Sequence, residues 1–220
     1  MQQHAQPSAI MPALTSDHAA LEPLHAAGFG GAQIERVLAF YDEPHRRYHN
    51  RVHLREMFDT AGLMPEPLAT AQALAILFHD AIYVPGAARG SNEMMSAQLL
   101  RVYAGFLPGP VVEAACAIVL DTAEHVARNA AAEVVLDLDL LRLAVDEASF
   151  EVYSRQVFDE QRPLIMIADD EAAWRFFSQR RRPFFERLLA RHAIYGLPWF
   201  YDRFEAIARR NLEHALALTP

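Results

Sequence analysis

Apolar residues recur at spacings of three and four along almost all of this 220-residue chain, and alternating β-branched runs are nearly absent. That period gathers side chains on one face of a helix, whereas a half-buried strand needs a period of two. The expected fold class is therefore all-α. With 52% hydrophobic residues over this length, one domain with a sizeable core is the default, and two very small ones would be strained. Helices are expected near 16–27, 31–42, 50–61, 67–83, 92–106, 109–125, 137–145, 149–166, 170–193 and 201–217. Between them lie turn and helix-start signals, among them GFGG at 28–31, PEP at 65–67, PGAARGS at 85–91 and PGP at 108–110. Residues 1–15 are expected to be disordered, on composition and terminal position, ahead of a helical domain over 16–220.

Twenty basic side chains face 28 acidic ones, for a formal charge of −8, and every basic one is arginine. A chain without lysine has no Schiff-base lysine, no Walker A lysine and no desolvated lysine base. The acidic balance disfavours nucleic-acid polymers as partners. The single cysteine, Cys116, excludes intramolecular disulfides and cysteine-rich zinc sites, and its apolar setting suggests a small buried hydrophobe. The N-terminus lacks a basic n-region, and no run approaches the roughly 20 apolar residues of a membrane span. A cytoplasmic protein without a membrane partner is the expectation.

The most informative stretch is LATAQALAILFHDAIYV, at 68–84, where His79 and Asp80 interrupt a run too apolar to have a solvated face. An ionised Asp in such surroundings must be paired with arginine, hydrogen-bonded several times over, or bound to a metal. In EVVLDLDLLRLAV, Asp137 and Asp139 interrupt a second apolar run. Residues two apart on a helix point in directions about 200° different, so only one of this pair can face a given centre. A third cluster, YDEPHRRYHNRVHLREMF, spaces His45, His49 and His53 by four, with Arg47, Arg51 and Arg55 in parallel. Spacing of four places imidazoles on one helical face, and Pro44 makes His49 and His53 the better pair. Imidazole with carboxylate and no thiolate fits a divalent metal such as Mn, Fe, Co, Ni, Zn or Mg.

His53, then His79-Asp80, then a distant Asp139 resembles the signature of the HD-domain superfamily of metal-dependent phosphohydrolases. Tyr48-His49-Asn50 followed by His53 is similar to the YHNxxH motif of the class I cyclic-nucleotide phosphodiesterases of the same wider group. More specifically, the chain resembles small bacterial predicted HD-superfamily hydrolases. The ordered set is YDEPHRRYHNRVH at 41–53, FHDAIY at 78–83, NEMMSA at 92–97, IVLDTAEH at 118–125, LDLDLLRL at 136–143 and EAIARRNL at 205–212. The resemblance implies an HD-type helical domain with a metal site among its central helices. It implies that His53, His79, Asp80 and Asp139 coordinate one metal, with Asp80 bridging to a second if one binds. His49 then stands where the phosphodiesterases keep a general acid, and Glu93 becomes a candidate for orienting the attacking water. His125 is a candidate for lining the pocket or holding a second metal. The implied activity is hydrolysis of a nucleotide or another small phosphate ester or anhydride by metal-activated water. Arg46, Arg47 or Arg51 would contact the substrate phosphate, since guanidinium presents paired donors to its oxygens. Tyr83 stands where the phosphodiesterases have a further histidine, and their nucleotide-gripping glutamine has no counterpart, which argues against cyclic nucleotides.

Plainer readings stand beside these. His79-Asp80 alone would be a buried histidine next to an arginine-paired acid, and His45 a residue at a helix start. Asp137 reads better as a cap or as support for a ligand than as a ligand. His125 reads equally well as a helix-end residue favoured by the dipole. Two other functional classes remain: a catalytically silent metal-binding regulatory domain, and di-iron oxygenase-like chemistry, which needs further histidine ligands. Oligomeric state and the physiological substrate have no signal in the sequence.

Overall fold

The apolar run ahead of His79 becomes the axis of the molecule. In a computed structural model, which describes residues 12–218, this run forms helix α4 (Thr70–Phe78), and every residue from Gln72 to Phe78 is buried. A helix apolar on all sides belongs inside a core. Here it is surrounded by α1 (Glu22–Ala26), α2 (Gly31–Leu38), α3 (Arg51–Ala61), α5 (Ser91–Tyr103), α6 (Gly109–Thr122) and α7 (Ala130–Asp139). Gln72, its one buried polar side chain, is satisfied by accepting the Ala69 N–H and donating to the Ala131 carbonyl. The chain closes with α8 (Glu147–Gln161), α9 (Asp170–Leu189) and α10 (Pro198–Ala217). Short 3-10 turns punctuate these helices, and among the described residues there is no strand. The molecule is a single all-α domain, as expected.

One large core runs through α1 to α7 and on to α10, while Phe158, Ala173 and Phe177 form a smaller cluster between α8 and α9. Cys116 is buried and its thiol meets the Ala97 carbonyl at 3.3 Å, the packing role expected of it. Of the segment expected to be disordered, 1–11 lies outside the described residues. Leu14, by contrast, is fully buried, and its N–H donates to the Arg51 carbonyl. None of the described helices is long and apolar enough to cross a membrane.

Helix ends depart most from expectation. The helix expected over 67–83 stops at Phe78, where the carbonyls that its next turn would use are taken by side chains, Ile76 by the His79 ring and Leu77 by the Tyr41 hydroxyl. The helix expected to begin at 137 begins at Ala130 instead, where Asn129 caps it by accepting the Ala132 N–H. Three alanines after that cap are strong helix formers although they carry little apolar signal. This earlier start puts Asp139 at the helix's last position, with Leu140–Ala144 continuing as a 3-10 turn.

Candidate metal centre

Three helix ends supply the centre. Asn50 caps α3 by accepting the Val52 and His53 N–H groups, which fixes His53 in the first turn with its side chain buried. His79 closes α4, Asp80 follows it in the turn, and Asp139 ends α7. From these positions the side chains converge. His53 Nε2 lies 3.1 Å from Asp139 Oδ1, and His79 Nε2 lies 3.0 Å from Asp80 Oδ2 and 3.5 Å from Asp139 Oδ1.

The tautomer of His79 decides what this convergence means. Its Nδ1 donates to the Ile76 carbonyl at 2.9 Å, leaving Nε2 as the free position. That Nε2 is fully buried and has no hydrogen-bond partner, although two carboxylate oxygens stand close to it. A buried acceptor facing other acceptors is unfavourable unless a cation, or a proton on the ring, sits among them. Ligand atoms of His53, His79 and Asp80 all lie within 4.8 Å of one another, so this group could hold a metal ion. The backbone acceptor behind His79 is the orienting contact that metal-bound imidazoles usually have.

Electrostatics mark the same spot as one that draws positive charge. Burial lowers the His53 pKa, favouring the neutral imidazole a metal requires. At His79 burial also works against charge, but the Asp80 and Asp139 carboxylates outweigh it and hold the group well above its ordinary value. Burial would raise both acids, yet the neighbouring imidazoles keep Asp80 and Asp139 well below the usual carboxylate range. Both carboxylates are thus ionised and draw positive charge to one spot.

His125 reaches the same centre, with Nε2 3.2 Å from Asp139 Oδ2. It follows α6 with φ of 49°, the one non-glycine residue with positive φ among those described. Such a conformation costs an ordinary residue about 1 kcal/mol or more and tends to persist where the surroundings impose it. Here Arg191 donates to the His125 carbonyl at 2.7 Å. Glu93, in the first turn of α5, lines the same cavity of about 240 Å³, and burial raises its carboxyl pKa. Tyr48, Tyr83 and Phe184 contribute aromatic walls.

His49 lies beside this centre and is held by a residue that the sequence reading missed. Glu160 of α8, with no exposed side-chain surface, accepts the backbone N–H groups of Arg47, Tyr48 and His49 at 2.7–2.9 Å on Oε1. Its Oε2 takes the His49 Nδ1 proton at 2.6 Å, so Nε2 is the free nitrogen of the ring. Burial opposes charge on His49, but Asp80 and Glu160 prevail and raise its pKa. Glu160 itself is pushed up by burial, then carried down to about 2 by the imidazole and the N–H groups. It falls three residues after Val157 and seven after Tyr153, in phase with an inward face, which was the available signal.

The arginines expected to grip phosphate are placed otherwise. Arg46 is buried and spends its guanidinium on Glu43 and on the carbonyls of His49, Asp80 and Ala81, tying the histidine segment to the His79-Asp80 turn. Arg51 pairs with Asp42 and Glu35, and Arg47 is exposed. None of the three lines the cavity. Asp137 accepts the Gly196 and Leu197 N–H groups at 2.9 Å, anchoring the start of α10 rather than the centre. Burial nevertheless pushes its carboxyl up to about 6. His45 contacts the Tyr83 carbonyl and ring outside the cluster.

Comparison with protein-family models, curated proteins and solved structures returned no match.

Proposed function

We propose that this chain is an HD-type metal-dependent phosphohydrolase acting on a nucleotide or another small phosphate ester or anhydride. The observation that carries the reading is one cavity lined by Asp80 and Asp139, the acids on which His53 and His79 converge, and by the Glu160-anchored His49. The ordered motifs of the sequence support the same assignment. Those four residues would hold one divalent ion, drawn from Mn, Fe, Co, Ni, Zn or Mg on the chemistry of the donors. When bound, it supplies a Lewis acid that draws charge from a phosphoryl oxygen and acidifies water.

The chain's own groups do the rest. His49, whose proton affinity Asp80 and Glu160 raise, donates its Nε2 proton to the leaving oxygen. Glu160 fixes the tautomer and aim of that imidazole. Glu93, kept partly out of water, is placed to accept a proton from or orient the attacking water. His125 beside Asp139 favours a second reading, a two-metal centre, including the di-iron type.

The test is a screen of manganese-loaded protein against phosphomonoesters, phosphodiesters and nucleoside di- and triphosphates. Hydrolysis of at least one class is expected, and His49→Ala should keep its metal while losing about 10²–10⁴-fold in rate. No hydrolysis with any of several divalent metals would overturn the enzyme reading and favour a silent metal-binding regulatory domain.

A further inference from the structure

With Arg46 and Arg51 committed to other partners and Arg47 exposed, the cavity still has one guanidinium on its wall. Arg181 of α9 lines it together with Tyr48, Tyr83 and Phe184. The same side chain also borders a second, largely aromatic cavity of about 390 Å³ between α8, α9 and α10, walled by Phe150, Trp174, Phe177 and Phe185. Arg181 is partly buried, and its guanidinium lies 4.6 Å from the Phe185 ring centre and 5.4 Å from that of Phe177. No hydrogen bond or ion pair joins it to any described residue. This is unusual here: in a chain with eight more acids than bases, the buried Arg46 and Arg142 are both paired with glutamate.

Keeping a guanidinium partly out of water without an acid is unfavourable, and aromatic faces offset only about 0.5–2 kcal/mol of that cost. Burial lowers the Arg181 pKa to about 10, so the group remains cationic at neutral pH. Around the same cavity stand Asp80, Glu93 and Asp139. A phosphate entering there meets three carboxylates, and apart from a metal and protonated histidine only Arg181 offers it positive charge.

We propose that Arg181 is the anion-binding residue of this cavity, gripping the non-bridging oxygens of a terminal phosphate group. Its planar fork can give two parallel N–H donors to such oxygens, as no other cavity residue can. The class of substrate this favours is a monoester or terminal phosphate of a small molecule, not an internal diester, because a terminal group offers oxygens to the metal and to the fork together. This assignment rests on the phosphohydrolase reading above.

Inorganic phosphate is the probe, titrated calorimetrically into manganese-loaded wild type, Arg181→Gln and Arg47→Gln, with metal content and melting recorded for each. Arg181→Gln should weaken phosphate binding by about tenfold or more, the equivalent of one charged hydrogen-bond pair, with metal content unchanged. Arg47→Gln should bind like wild type. Should the glutamine variant fail to fold, Arg181→Met keeps the apolar stem over the two phenyl rings and is expected to show the same loss. Equal phosphate affinity with and without Arg181, or no phosphate binding by metal-loaded wild type, overturns the assignment and leaves the metal centre standing. Phosphate binding that needs Arg181 in a chain taking up no metal supports the assignment and overturns the metal reading.

Discussion

His49 and His53 lie four residues apart in one motif, and their surroundings shift their pKa values in opposite directions. Burial, with Arg142 and a neighbouring imidazole, lowers the pKa of His53; the Asp80 and Glu160 carboxylates outweigh burial and raise that of His49. Environments that push paired groups apart would let this fold give the two histidines the proposed ligand and acid roles. Glu160 is the decisive contact. Replacing it with Gln should cut turnover by about 10–100-fold while metal content stays, the usual effect of losing an orienting partner, and paired kinetics and elemental analysis check this. Its folded pKa of about 2 is depressed from an ordinary 4.5, so its contribution to stability is present above pH 4.5 and fades as pH falls toward 2. That contribution is about 3 kcal/mol, and melting profiles of Glu160→Gln should show a flatter acid limb than wild type. The histidines and Asp139 were legible in the sequence because polar groups in apolar runs, at ligand spacing, carry their own signal. Glu160 and Arg181 were not, since Glu160 acquires meaning only from a partner 111 residues away and Arg181 only from the cavity wall that α9 brings it to.

At the scale of elements, the centre is built from helix ends. The Asn50 cap sets His53, the termination of α4 sets His79 and Asp80, and the last position of α7 sets Asp139. Asn50→Ala should therefore do two things: cost about 1 kcal/mol in urea unfolding, as lost caps do, and weaken metal binding by loosening the first turn of α3. A variant with the stability loss and unaltered metal affinity would show that His53 is held by packing alone. The number and order of helices could be read from apolar spacing, but their ends could not. The end of α4 depends on the Tyr41 hydroxyl reaching the Leu77 carbonyl from 36 residues away, and α7 starts on alanines that give no periodic signal. Register errors at helix ends matter here because the convergent histidines and carboxylates sit there.

Across the whole molecule, a net charge of −8 would repel a phosphate, but several of the acids are inward. Asp80 and Asp139 gather around His79, Glu160 is spent on a backbone segment, and Asp137 anchors α10. A cation at the centre would tie α3, α4 and α7 together, so binding should stabilise the entire fold. At about 100 times its dissociation constant a metal adds about 2.7 kcal/mol. For a chain of this size that raises the melting temperature by about 5–10 °C, a shift that chelation should reverse. Identical melting with metal and with chelator would mean that the ligands are not preorganised as described. The most direct measurement is elemental analysis of purified wild type beside His79→Ala and Asp80→Ala. About one divalent ion per chain in wild type, and its loss from both variants, is the expected result; full metal occupancy in a folded Asp80→Ala or His79→Ala protein would contradict the centre assigned here.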